Sequence, residues 1–166
     1  STRRGDALMP AVESICRQAG ITPGDLEGIG VSIGPGGFTG LRIGIAAAKM
    51  LSWSLDIPLV AMQTALLAAE TAGDLDGLMA VVLASKDDTC WLTLVEGSFG
   101  SRSISQAGTL VDPEMFLATI PRVDHLLVDE HLPESMAGHG LTPRRPEFDP
   151  AVLLEMTERR LASGET

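Results

Sequence analysis

The stretch Gly34-Pro35-Gly36-Gly37-Phe38-Thr39-Gly40-Leu41-Arg42-Ile43-Gly44 decides how the rest of this chain is read. Before it, residues 27–33 run through Gly28, Ile29, Gly30, Val31, Ser32 and Ile33, the pattern of a buried strand. After it, residues 41–55 are apolar on nearly every side, which predicts a central helix. The unit is therefore strand, glycine loop, helix. Glycines can serve such a loop in three ways. They permit positive φ where a strand turns sharply into a helix. They expose backbone N–H groups at a helix start, where an anion can bind. They also allow a backbone approach that a Cβ would block. Arg42, in the first helical turn, would add charge to an anion site. The string is neither a Walker A loop nor a G-x-G-x-x-G fingerprint. The residues alone leave a structural turn and a phosphate site both open. Valine at Gly37 is expected to damage the turn, because a β-branched side chain disfavours positive φ.

Working outward, Leu8, Val12, Ile15 and Ala19 mark an amphipathic helix over 6–19, with Met9 and Cys16 widening its stripe. Gly20 ends it, and Pro23 lies just beyond. Within the 41–55 helix and its start, Gly40, Gly44 and Ala48 form a smooth face suited to close packing. A short strand is expected at 57–61 and a third helix over Gln63–Ala72. Strands at 78–84 and 89–95 are joined by Ser85-Lys86-Asp87-Asp88, a link that suits a hairpin. An edge strand is expected at 101–105 and another strand at 124–129. Asp112-Pro113 and Asp149-Pro150 read as helix starts for 112–119 and 149–162. Residues 131–147 are rich in Pro and Gly and read as loop. Strand–helix units followed by a hairpin predict an α/β protein with a mixed sheet.

Composition narrows the function. Apolar residues make up 45% of the 166, enough for a folded core, but aromatics are only 4% and Tyr is absent. The net charge of −10 resides in one part of the chain. Residues 1–60 hold five basic and five acidic groups; residues 61–166 hold seven basic and 17 acidic groups. Such a chain repels a nucleic-acid backbone at long range, so any RNA would be held mainly by another subunit. Cys16 and Cys90 stand in no metal or redox spacing and read as buried, reduced thiols, which makes the cytoplasm the expected location. No apolar run reaches spanning length, and Ser1-Thr2-Arg3-Arg4-Gly5-Asp6 does not read as a signal peptide.

The loop string, followed by Ala46-Ala47-Ala48-Lys49 and then Ile57-Pro58-Leu59-Val60, resembles the signature of the bacterial TsaB proteins. Leu8-Met9-Pro10 matches a helix of that family in position. The resemblance covers residues 4–72 and fades to general pattern beyond. It implies an actin/Hsp70/sugar-kinase-like (ribonuclease H-like) fold, a mixed sheet with flanking helices. Residues 1–75 would be the remainder of an N-terminal actin-like subdomain, and 76–166 a second, smaller one. The first subdomain is expected to be incomplete, since the family opens with strands before its first helix. The resemblance also implies a role. TsaB-like proteins pair with a homologous catalytic subunit, TsaD, and with an ATPase, TsaE. Together they attach a threonylcarbamoyl group to the adenosine beside the tRNA anticodon, the TsaB-like member acting as platform and activator. No catalysis by this chain alone is expected, and none of its residues is assigned a catalytic role. ATP would belong to the complex, tRNA would be met indirectly, and a homodimer remains open. Gly34, Gly36, Gly37, Thr39, Gly40 and Arg42 are the expected nucleotide-proximal loop. Leu8, Met9, Val12, Ile15 and Cys16 are the expected partner helix, with Leu8, Val12 and Ile15 able to face the sheet while Met9 and Cys16 face outward. The alternative from another class is an enzyme of the same superfamily that binds ATP or a phosphorylated ligand at the loop.

The sequence departs from the family in two further places. Leu83 and Ser85 stand where an Asp and an Arg are usual, and Arg4, Gly5 and Asp6 replace a His-Ser-Glu opening. The histidines, His125, His131 and His139, form no H-x-x-x-H pair, so no metal site is expected. Asp87-Asp88 and Asp129-Glu130 read as solvated loop charges rather than acid/base pairs. Ser32, Ser52 and Ser54 lack the context of a hydrolase nucleophile.

Overall fold

The computed structural model describes residues 7–136 and 140–165. His139 and the Arg4-Gly5-Asp6 opening lie outside the described residues. Helix α1 (Leu8–Ala19) stops at Gly20, whose φ of 71° turns the chain left-handed. The Gly20 and Ile21 amides donate to the Arg17 and Cys16 carbonyls, which closes the helix end. Strands β1 (Ile29–Ser32) and β2 (Leu59–Met62) pair in parallel, Ile29 opposite Leu59 and Ser32 opposite Met62. A parallel pair needs a crossover, and helix α2 (Phe38–Leu55) supplies it. The Ile29 amide donates to the Pro58 carbonyl and the Ile33 amide to Met62. In a parallel ladder, Gly30 and Ser32 then direct their amides and carbonyls to the opposite edge of this two-stranded sheet.

Helix α3 (Thr64–Thr71) leads to a four-stranded sheet. Its strands are β3 (Gly77–Ala84), β4 (Cys90–Gly97), β5 (Ser103–Val111) and β6 (His125–Val128), in the order β5-β4-β3-β6. The β3–β4 and β4–β5 pairs are antiparallel, and β3–β6 is parallel. Asp87 and Asp88 both take positive φ in the hairpin link, a conformation Asp tolerates better than most side chains. Helix α4 (Pro113–Thr119) precedes β6, and α5 (Pro150–Ser163) closes the chain.

Alternation along β3 builds two cores. Met79 and Val81 join Val60, Met62, Leu67 and Met156 on one face. Ala80 and Val82 join Leu92, Phe116, Ile120 and Met136 on the other. Both faces of β3 are therefore covered, which is why its sequence is a continuous apolar run. Between the two sheets lies α3, buried from Thr64 through Glu70. Buried Glu70 meets Arg102, with Nη1 3.5 Å from Oε2. The same guanidinium donates to the carbonyls of Ala69 (2.7 Å), Gly73 (2.6 Å) and Leu75 (2.5 Å). Arg102 thus adds a side-chain donor to the C-terminal end of α3, where the Ala72 and Gly73 amides also bond the last turn.

Helix α5 crosses back onto β1. A Cβ at Gly30 would strike the side chain of Thr157, and one at Gly28 would meet Leu161. Thr157 is buried, and its hydroxyl donates to the Leu153 carbonyl. Gly30→Ala should therefore push α5 off the strand and cost about 2 kcal/mol. Thermal melting checks this, and Thr157→Ala in the same chain should restore part of the loss. No recovery in the double variant would count against this contact as the cause.

The sequence expectations hold for most elements, with three corrections: strand β1, expected to be buried, is half-buried along its length. Strand β5 runs to Val111, well past the expected 101–105, because register shifts opposite Leu92–Val95 let the ladder resume. Helix α2 is not central. Ala48 is its only buried residue, while Phe38, Met50 and Trp53 are exposed at 71%, 49% and 86%. Around Gly40 and Gly44 nothing lies within 4 Å of a Cβ position among the described residues, so of the smooth face only Ala48 is buried.

Candidate functional site

The glycine loop is stitched to the start of α3. The Ile33 amide donates to Met62, and the Gly34 carbonyl accepts the Thr64 amide at 2.9 Å. Ser32 Oγ and Thr64 Oγ1 lie 2.7 Å apart. Gly34 is buried at φ 106°, a conformation open to glycine and hostile to a Cβ; that Cβ would also sit 3.0 Å from Leu41. Gly37 is different. It caps α2 at φ −57°, with open space where a side chain would go. The positive φ expected at Gly37 is therefore found at Gly34 instead.

Between the loop and the ends of β3 and β6 is a cavity of about 410 Å³. Pro35, Gly36, Gly37 and Leu41 form one wall. Ser32 and Thr64 stand at its base; Leu83, Ala84, Asp129 and Phe148 face them. Asp129 accepts the His131 amide through Oδ1 at 3.1 Å. Two hydroxyls, a carboxylate and an N-terminal helix turn can hydrogen-bond a polar ligand. Arg42 sits elsewhere: its guanidinium lies over the Phe38 ring, 5.0 Å from the centroid. Thr39 and Gly40 are exposed on α2, outside the cavity wall. Of the six expected loop residues, the cavity thus gathers Gly36 and Gly37, with Gly34 buried behind them.

Sequence reading missed Thr64, Asp129 and Phe148. They arrive from distant parts of the chain, and no local pattern links them to the loop. Asp87-Asp88 and Asp129-Glu130, read from the sequence as loop charges, have separate partners. Asp88 accepts the Ser135 hydroxyl at 2.9 Å, and Glu130 pairs with Arg145 at 2.9 Å. Burial pushes the Cys90 thiol up to about 11, so it stays protonated and unreactive at neutral pH.

The second expected site is α1. Ile15 is exposed at 65% and Met9 at 39%, Leu8 and Val12 are half-buried, and Cys16 is buried. The orientation of Ile15 and Cys16 is thus the reverse of the sequence expectation: Cys16 faces in and Ile15 faces out. Met9, Val12 and Cys16 share an apolar cavity of about 270 Å³ with Leu26 and with Leu51 of α2, so the two helices adjoin. Among the described residues, no group of three His, Cys, Asp or Glu side chains is placed to hold a metal ion.

Comparison with known proteins places this geometry in a family. The family model described as TsaD, tRNA N6-adenosine threonylcarbamoyltransferase, matches residues 3–93, more than half of the chain. The Bacillus subtilis protein named tRNA threonylcarbamoyladenosine biosynthesis protein TsaB is 41% identical over 78 residues, which span 47% of this chain and 34% of the relative. An uncharacterised protein of Mycobacterium bovis is 30% identical over 121 residues, 72% of this chain and 56% of that one. The chain therefore spans between about a third and somewhat over half of these relatives' length. A Pseudomonas aeruginosa crystal structure, of a protein titled as similar to peptidase YEAZ, shares the fold. Its TM-score is 0.78 at 19% identity, covering 99% of this chain and 79% of that one. With its strand, glycine loop and helix inside the matched segment, the chain belongs to the tRNA N6-adenosine threonylcarbamoyltransferase family and is a TsaB/YeaZ-like member of it.

Proposed function

We propose that this chain takes part in threonylcarbamoyladenosine synthesis on tRNA as a scaffold and activator that binds a TsaD-like catalytic subunit. The observation that carries the reading is the uncovered apolar surface of α1 and α2. Met9, Ile15, Met50 and Trp53 are all exposed on these two adjoining helices. Exposed large apolar side chains on neighbouring helices suit contact with another protein. The net charge of −10 supports the same division of labour, since it disfavours direct tRNA binding. In this reading residues 1–75 and 76–166 act as two subdomains. A TsaE-like ATPase joins the complex, and the cytoplasm is its location.

Co-expression with a TsaD-like subunit, followed by size exclusion and assay of modified tRNA, tests the proposal. Ile15→Glu and Trp53→Glu should each weaken the complex at least tenfold, because a buried unpaired carboxylate is strongly unfavourable. The melting temperature should not change, since both side chains are exposed. A complex indifferent to both variants would refute this surface as the interface.

A second reading, an enzyme that binds ATP or a phosphoryl ligand, draws on the cavity beside Gly36 and Gly37 with its Ser32 and Thr64 hydroxyls. Calorimetric titration with ATP separates the two. Turnover by the chain alone would favour the enzyme; binding only in the presence of the partner would favour the scaffold.

A further inference from the structure

We propose that a second pocket, walled by α3, the turn before β5 and the last turns of α5, binds a small phosphate-bearing anion. The pocket has a volume of about 300 Å³ and is lined by Arg102, Arg159 and Arg160, with Glu70, Gly100 and Glu165. Three arginines thus line one pocket in a chain of net charge −10. Each is held in place by backbone. Arg159 Nη1 donates to the Gly100 carbonyl at 2.7 Å, and Arg160 Nη1 donates to Ala61 at 3.1 Å. Each of these bonds uses one of five N–H groups, which fixes the fork and leaves other donors free. Arg102 is anchored by three carbonyls. Its Nε is nevertheless the one buried side-chain nitrogen or oxygen among the described residues with no hydrogen-bond partner. A buried charged donor left unpaired is costly, and an anion or its bound water would satisfy it.

Charge balance favours an anion. Glu70 is matched by Arg102 at 3.5 Å, and its Oε2 also accepts the Gly100 amide at 2.9 Å. Among the described residues Arg159 pairs with no carboxylate, and Arg160 pairs with Glu165, whose Oε2 is 4.0 Å from Arg160 Nε and whose side chain is 69% exposed. That contact is long and solvated, so it holds little. The Glu165 carboxylate stands where a bound anion would put its charge, as an internal competitor. The negative end of α5 accounts for one cation in its last turn. It does not account for a second guanidinium beside it, nor for the orphan Nε of a third. Planar guanidinium forks match phosphate oxygens two at a time, which sets the ligand class.

The test is calorimetric titration of the full 166-residue chain with pyrophosphate at low ionic strength. Saturable one-site binding is expected, weakening as salt rises. Arg159→Gln and Arg160→Gln should each reduce affinity about tenfold, the scale of one charge-assisted contact. Glu165→Gln, at an exposed position that folding does not depend on, should tighten binding several-fold by removing the competitor. Absence of saturable binding would overturn the proposal, as would an unchanged affinity in Glu165→Gln. Binding that both Arg variants leave intact, but that Gly37→Val abolishes, would place the anion at the glycine loop and overturn it equally.

Discussion

Arg102→Ala should lower the stability of the fold by about 4 kcal/mol, the largest effect expected of any single substitution considered for this chain. Its side chain is only 1% exposed and its partner Glu70 only 3%. Removing the guanidinium strands the Glu70 carboxylate in the core with the Gly100 amide as its remaining partner. It also takes one donor from the carbonyls of Ala69 and Gly73, which keep the Ala72 and Leu75 amides, and takes the guanidinium from the Leu75 carbonyl. Lysine should not rescue the site, because an ammonium cannot serve carbonyls in three directions in the fixed plane that a guanidinium provides. The double variant Arg102→Met with Glu70→Leu should recover much of the loss, since it removes the stranded charge as well. Thermal melting reads all three. A fall of roughly 10 °C is expected for Arg102→Ala in a domain of this size. A melting point within about 2 °C of the parent would show that the pair contributes little.

Gly34→Val should cost about 3 kcal/mol, while Gly37→Val costs about 1 kcal/mol. The two glycines belong to one string yet do different work. At Gly34 the backbone is at φ 106° and the residue is buried against Leu41. A β-branched side chain there must distort the backbone, displace Leu41, or both. At Gly37 the backbone is at φ −57°, which valine adopts freely, and the space beside it is open. The loss at Gly37 is that of a weaker helix cap. Its added side chain would instead intrude on the cavity beside the loop, so ligand binding should respond where stability hardly does. Equal destabilisation by the two variants would contradict this division.

What was legible in the sequence was local. Asp112-Pro113 and Asp149-Pro150 announce helix starts. The structure shows Asp112 Oδ1 accepting the Met115 amide and Asp149 Oδ1 accepting that of Ala151. The Ser85–Asp88 link lies between two apolar runs, so the β3–β4 hairpin could be foreseen. The expectations that failed depend on what lies across space. Side-chain pattern shows that α2 is apolar; it cannot show that one side of α2 meets no cover. A string with five glycines suggests that some φ is unusual; only the folded backbone shows that it is the one at Gly34. Ile15 and Cys16 are adjacent, so a helix of either orientation satisfies the same periodicity. The cavity beside the loop was half-legible for a related reason. Gly36 and Gly37 are written in the motif, but Asp129 and Phe148 are brought to it by β6 and by the approach to α5.

The outward-facing amides of Gly30 and Ser32 have a consequence for the handling of this protein. Natural sheets defend a free edge with lysine, proline, a bulge or a covering segment. Ile29-Gly30-Val31-Ser32 carries neither charge nor proline, its pairing with β2 is regular, and no strand among the described residues pairs with its other edge. Such an edge accepts any extended segment that reaches it, and two free edges can accept each other. The isolated chain is therefore expected to self-associate through that edge as its concentration rises. Its solubility will improve with whatever occupies that edge, even where its melting point does not.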